Sequence, residues 1–163
     1  GVGGRDARIR CEERIDGDVE QNRAGGVGDF IVKRADGLLA YQRAVVVDDT
    51  FQGITHVVRG VDLLWNTPRQ RLLQGLLGLP APVYAHVPLV INATGQKLSK
   101  QTRAPALPET GRSAVLAHAL AALGLILPAE LVGAGPDELL AWASAHWRIE
   151  RVPLLPAIAN IAS

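Results

Sequence analysis

An α/β domain followed by a small helical region is the fold this sequence predicts, on three observations. Two β-branched apolar runs, 53–59 and 83–91, flank one well-marked helical stretch at 67–77. Strand, helix, strand and loop in that order make a parallel α/β unit. Beyond Pro105 and Pro108 the spacing becomes purely helical. The 163 residues, 48% hydrophobic and 20% charged, also have the balance of a globular chain able to bury a core.

Residues 1–28 are rich in Gly, Arg, Asp and Glu with few apolar anchors, which predicts loop or poorly packed edge structure. Phe30-Ile31-Val32 and the run 38–41 lie on either side of Asp36-Gly37, the usual signal for a hairpin turn. Residues 43–51 carry Ala44 and Val45 to Val47 ahead of Asp48-Asp49. Periodicity alone does not separate helix from strand there, and helix is the reading adopted. The run 53–59 (Ile54, Thr55, Val57, Val58) reads as a buried strand, and the loop after Gly60 carries Asp62 and Trp65. Thr67-Pro68 then opens a helix with Thr as N-cap and Pro at the first position. Leu72, Leu73, Leu76 and Leu77 have helical spacing, and Gly78 ends the helix. The run 83–91 reads as a second strand, delivering Lys97-Leu98-Ser99-Lys100 through the polar turn 92–96. Helices are predicted at 112–123 and 136–146. The organisation expected is a catalytic-type α/β part over 1–104 and a helical region over 105–163.

A formal net charge of +1 supplies no broad basic field, so contact with nucleic acid would have to be local. One cysteine, Cys11, excludes an internal disulfide and a cysteine-based zinc cluster, and a reducing cytoplasm is the expected location. No apolar run reaches the roughly 18 residues of a membrane span. The N-terminus has neither an initiator methionine nor a signal-peptide pattern, and reads as cut from a longer chain.

The sharpest chemical feature is Lys97-Leu98-Ser99-Lys100 on a loop after an apolar strand. Two ammonium groups around a hydroxyl suit moving phosphate charge, although the bare tetrapeptide is more often a solvated surface loop. Asp48 and Asp49 read as solvated or capping carboxylates. His56, His86, His118 and His146 are widely spaced and fit no ligand pattern, so each reads as a core or surface histidine, and no metal site is assigned.

Five blocks change the weight of these features. Asp-Gly-x-x-x-Tyr at 36–41, Ala-Val-Val-Val-Asp-Asp at 44–49, Gly-Ile-Thr-His-Val-Val-Arg-Gly at 53–60, Asn-Thr-Pro-Arg-Gln at 66–70 and Lys-Leu-Ser-Lys at 97–100 occur in one order. In that order they resemble the glutamyl branch of the class I aminoacyl-tRNA synthetases. The resemblance implies the distal half of a Rossmann-like catalytic domain, with the family's HIGH-type signature and its structural zinc segment upstream of Gly1. It makes Lys97, Ser99 and Lys100 the KMSKS-type element that binds ATP and stabilises adenylation, Lys100 foremost. Tyr41 and Arg59 become glutamate-binding residues. Arg59 suits that task because a guanidinium can read a carboxylate with two parallel hydrogen bonds. Without the resemblance, a Tyr and an Arg beside a sheet are equally compatible with a structural role. Asp62 falls near the ATP ribose, and the backbone of Val90 and Ile91 near the adenine.

The ending of the chain, with 104–108 and Trp147-Arg148, resembles the short branch of that family, which lacks the anticodon-binding region. That branch implies ATP- and Mg-dependent activation of L-glutamate, then glutamyl transfer to queuosine in the anticodon of tRNA(Asp), by a cytoplasmic monomer. The other readings carried forward are a fragment of a conventional glutamyl-tRNA synthetase and a non-catalytic RNA- or protein-binding remnant.

Overall fold

The computed structural model describes residues 8–11, 13–15, 17, 19–22, 30–33, 35–37, 40–99, 106 and 110–159. Helices and strands are mixed, and the chain divides into two compact units, 1–86 and 87–163. The division groups the loop bearing Lys97 with the C-terminal helices.

The first unit begins with two strands, β1 (Arg8–Cys11) and β2 (Val19–Asn22), paired antiparallel with Arg8 opposite Asn22 and Cys11 opposite Val19. Of the loop or poorly packed edge structure expected over 1–28, the described residues form this two-stranded pair. The apolar anchors are few, but Glu13 supplies a polar one: buried, it bridges to Tyr84, and its Oε2 accepts the Ile15 amide at 2.7 Å. Backbone amides satisfying a buried carboxylate leave no hydropathy signal.

The Ala40 amide donates to the Val32 carbonyl at 3.2 Å around the turn at Gly37, whose φ of 87° suits glycine. Leu38 and Leu39 of the expected hairpin lie outside the described residues. Tyr41, expected at the end of a strand, instead opens the helix α1 (Tyr41–Phe51), which buries Val46. Helix is therefore correct for the ambiguous valine run.

β3 (His56–Gly60) and β4 (Val83–Val87) are hydrogen-bonded neighbours, and the Val83 amide donates to the Thr55 carbonyl at 2.9 Å. β4 buries Tyr84, Ala85 and His86 in succession, as a strand covered on both faces does. β3 is less buried than expected, with Val58 exposed. Between them a 3-10 helix (Val61–Asn66) runs directly into α2 (Thr67–Leu77), which stops at left-handed Gly78 (φ 65°). That continuity corrects the expected N-cap. The backbone is already helical at Asn66, so Thr67 is inside the helix and its hydroxyl is released for other bonds.

In the second unit, Pro88 divides the expected strand 83–91. β4 ends before it and β5 (Leu89–Ile91) follows, pairing parallel with a strand the helical expectation for the C-terminus omitted, β6 (Ala157–Ala159). Proline has no amide to donate, so the ladder is interrupted there. α3 (Arg112–Ala122) and α4 (Pro136–His146) fall where predicted. They share a core of Leu120, Leu125, Leu139 and Ala143, with Trp142 and Trp147 packed against it. Gly124 (φ 82°) turns the chain after α3, and a Cβ there would overlap the Arg151 carbonyl.

Candidate active site

Arg59 lies near the end of β3, where the strand passes into the 3-10 turn, and half-buried it organises its surroundings. Its Nε donates to His86 Nε2 at 3.0 Å, and Nη2 donates to the Thr67 hydroxyl at 2.7 Å and to the Leu63 carbonyl at 3.3 Å. The guanidinium carbon is 5.2 Å from the centre of the Tyr84 ring, within cation–π range. Burial pulls the Arg59 pKa below its ordinary value; the Tyr84 and Tyr41 phenols and the Asp49 and Asp62 carboxylates oppose that pull. Tyr41 and Asp62 thus share the electrostatic surroundings of Arg59. Both are exposed.

The expected two-pronged carboxylate contact is modified by this geometry. The Nε/Nη2 edge of Arg59 is occupied by His86 and Thr67, and among the described residues none accepts a hydrogen bond from Nη1.

Behind Arg59 stands a buried chain of groups that sequence reading did not assign to the site. Thr67 is 0% exposed, His86 1% and Glu13 5%. The Thr67 hydroxyl is 3.2 Å from His86 Nε2. On the far side of the ring, His86 Nδ1 is 3.3 Å from Glu13 Oε1, and that oxygen also accepts the His86 amide at 2.6 Å. Reading His86 as a core histidine was correct about burial and missed the company. A histidine inside the apolar run 83–91 was the available signal, because a buried imidazole needs partners at both nitrogens. The Tyr84 hydroxyl beside it accepts a hydrogen bond from the Gln74 amide nitrogen at 3.1 Å, and burial raises the phenol pKa above 10.0.

The second group of expected residues belongs to the second unit. Asn92 builds the turn: its Oδ1 accepts from the Thr94 amide (3.0 Å), the Thr94 hydroxyl (2.8 Å) and the Gln96 amide (2.9 Å). The returning chain bridges Lys97 to Ile91, and the Leu98 amide donates to the Val90 carbonyl at 3.0 Å. Lys97 is exposed and Ser99 half-buried on this returning arm; Lys100 lies outside the described residues. Val90 and Ile91, expected to meet adenine through their backbone, are already paired, Ile91 with Ala159 as well as Lys97. The Val90 carbonyl, which accepts the Leu98 amide, keeps a second lone pair. Among the described residues no group of three or more His, Cys, Asp and Glu could hold a metal ion. No helix among them is long and apolar enough to cross a membrane.

Comparison with known proteins gives these groups a setting. Residues 5–109 match the family described as tRNA synthetases class I (E and Q), catalytic domain. A glutamyl-Q tRNA(Asp) synthetase from Thiobacillus denitrificans is 71% identical over 157 residues, covering 96% of this chain and 52% of that protein. One from Pseudomonas aeruginosa is 53% identical over 144 residues, covering 88% and 49%. Among solved structures, a glutamate tRNA ligase from Elizabethkingia meningosepticum in complex with its amino acid superposes with a TM-score of 0.53 at 33% identity, covering 59% of this chain and 19% of that one. The chain spans about half the length of the curated relatives it matches. With the match covering most of its residues, and the Arg59 cluster and the Lys97 turn lying within it, the chain belongs to the class I tRNA synthetases for glutamate and glutamine, within their catalytic domain.

Proposed function

We propose that this chain is the distal part of the catalytic domain of an enzyme that activates L-glutamate with ATP and transfers the glutamyl group to queuosine in the anticodon of tRNA(Asp). The observation that carries the proposal is the Arg59 cluster: a half-buried guanidinium held by three protein acceptors, with none at Nη1 among the described residues, inside a sequence 71% identical to a glutamyl-Q tRNA(Asp) synthetase. A carboxylate is the natural partner for such a cation.

Arg59 and Tyr41 bind glutamate, Arg59 through Nη1 and Tyr41 through its exposed phenol. Asp62 receives the ribose, and the β5 backbone at Val90 and Ile91 borders the adenine. In the first step an oxygen of the glutamate α-carboxylate attacks the ATP α-phosphorus and pyrophosphate leaves. Lys97, Ser99 and Lys100 follow the phosphate charge as it redistributes. In the second step queuosine attacks the activated carbonyl and AMP leaves. Positioning and charge suffice for both steps, with no covalent enzyme intermediate. Mg²⁺ bound together with ATP would supply further neutralisation of the phosphate charge. The reaction belongs to the cytoplasm, where tRNA is processed, and a monomer is sufficient for it.

The solved glutamate tRNA ligases favour a second reading, a conventional synthetase charging the 3′ end of tRNA(Glu). Labelled glutamate offered with ATP to the protein in its full genomic reading frame separates the two. Label on tRNA(Asp) containing queuosine, and none on tRNA(Asp) without it, is expected. Label at the 3′ end of tRNA(Glu) would replace the proposal with the second reading, and no label on any tRNA would leave a non-catalytic binding role.

A further inference from the structure

The geometry points to His86 as a positioning residue for glutamate binding: a neutral imidazole that ties Arg59 to the buried carboxylate of Glu13 and thereby aims the guanidinium. The inference rests on the reading of Arg59 as the glutamate-binding cation and deepens it. By sequence His86 reads as a core or surface histidine, and the role inferred for it acts through Arg59.

Three observations carry it. The protonation pattern is dictated by the neighbours. Arg59 Nε can only donate, so His86 Nε2, 3.0 Å away, must present its lone pair. The ring proton then belongs on Nδ1, 3.3 Å from Glu13 Oε1, where a carboxylate can accept it. An imidazolium would place N–H against N–H at Arg59. The placement is also rigid. Glu13 is held by the His86 and Ile15 amides at 2.6 and 2.7 Å, so the far end of the chain is fastened to backbone. Finally, the contact decides which part of Arg59 is exposed. With Nε on His86 and Nη2 on Thr67, the guanidinium is fixed at two points in its plane, and Nη1 is the end left for a ligand. If His86 lost its acceptor, Arg59 would keep its charge and lose its aim, an error that costs binding steeply when a fork must meet a carboxylate.

Two substitutions divide the roles of the imidazole, because asparagine carries its polar atoms as many bonds from Cβ as Nδ1, and glutamine as many as Nε2. His86→Gln therefore retains an acceptor for Arg59 while losing the donor to Glu13. His86→Asn retains a donor to Glu13 while losing the acceptor. In glutamate-dependent ATP–pyrophosphate exchange by the protein in its full reading frame, His86→Asn is expected to raise KM for glutamate about 10- to 100-fold, with kcat and KM for ATP within about threefold of wild type. His86→Gln is expected to stay within about threefold in all three. A residue serving only the core would make the two variants fail alike, and that result would overturn the inference.

Arg59→Ala, run alongside, tells the two failures apart. If it raises KM for glutamate and His86→Asn does not, the positioning role is wrong and the glutamate site stands. If Arg59→Ala leaves KM unchanged, the glutamate site is wrong and the inference falls with it. Nitrogen-15 NMR of the unsubstituted protein provides a readout that no folding defect can confound. A His86 imidazole protonated at Nδ1 and bare at Nε2 is expected at neutral pH, and a proton on Nε2 would overturn the inference.

Discussion

Tyr84 shows how much of the first unit depends on single polar side chains. Its ring lies under the Arg59 guanidinium and its hydroxyl is tied to Gln74, in an interior that also buries Glu13, Thr67 and His86. Burial raises the phenol pKa above its unfolded value of 10.0, the nearby Arg59 only partly opposing the shift. The folded state therefore holds the proton more tightly than the unfolded state does. This contribution to stability is fully present below pH 10.0 and is lost as pH rises through the higher folded value. Urea unfolding at neutral pH and again above pH 10.0 should show an alkaline loss of stability that is reduced in Tyr84→Phe. At neutral pH the variant should be about 1 kcal/mol less stable, since the Gln74 amide loses its partner. An unchanged alkaline slope in the variant would assign the loss to other groups.

At the scale of elements, the polar turn between β5 and its returning arm is a device for holding Lys97. Three hydrogen bonds converge on Asn92 Oδ1, and the bridge from Ile91 to Lys97 continues the pairing. Gly95, at φ 78°, lets the turn close tightly enough for the Gln96 amide to reach that oxygen. Asn92→Ala removes the shared acceptor and should loosen the arm without touching Arg59. The expected outcome is a KM for ATP about 3- to 10-fold higher in ATP–pyrophosphate exchange, with KM for glutamate unaltered. Equal effects on both substrates would mean that the turn supports the fold as a whole rather than the nucleotide contact.

For the whole molecule, these 163 residues stand beside longer relatives. They correspond to about half of each curated relative, and large apolar side chains such as Phe51 (90% exposed), Val58 and Trp65 face solvent in the first unit. Exposed apolar surface is a common site of contact with further protein. Residues 1–163 expressed alone are expected to give no glutamate-dependent ATP–pyrophosphate exchange, whereas the full reading frame should give it. Exchange by the short chain would show that the Arg59 cluster and the Lys97 arm are sufficient for activation.

Local patterns in the chain were enough for α2, α3 and α4, because a proline near the start, leucine spacing or a terminating glycine act within a few residues of one another. The order of the five blocks was enough for the family, and their residue types pointed to Arg59 and the Lys97 arm. What only the tertiary structure decided is the company those residues keep. Glu13 and His86 are 73 positions apart, and Arg59 and His86 are 27 apart. Nothing periodic links such pairs. Thr67 was read as a cap because Thr-Pro has that meaning locally, yet the 3-10 turn before it continues the helix and turns its hydroxyl to Arg59. Segments 8–11, 19–22 and 157–159 lacked enough apolar spacing to announce strands, and the pairing of 157–159 depends on a partner distant in sequence. Local propensity is written in neighbours along the chain, while the satisfaction of buried polar groups is settled only when remote segments meet.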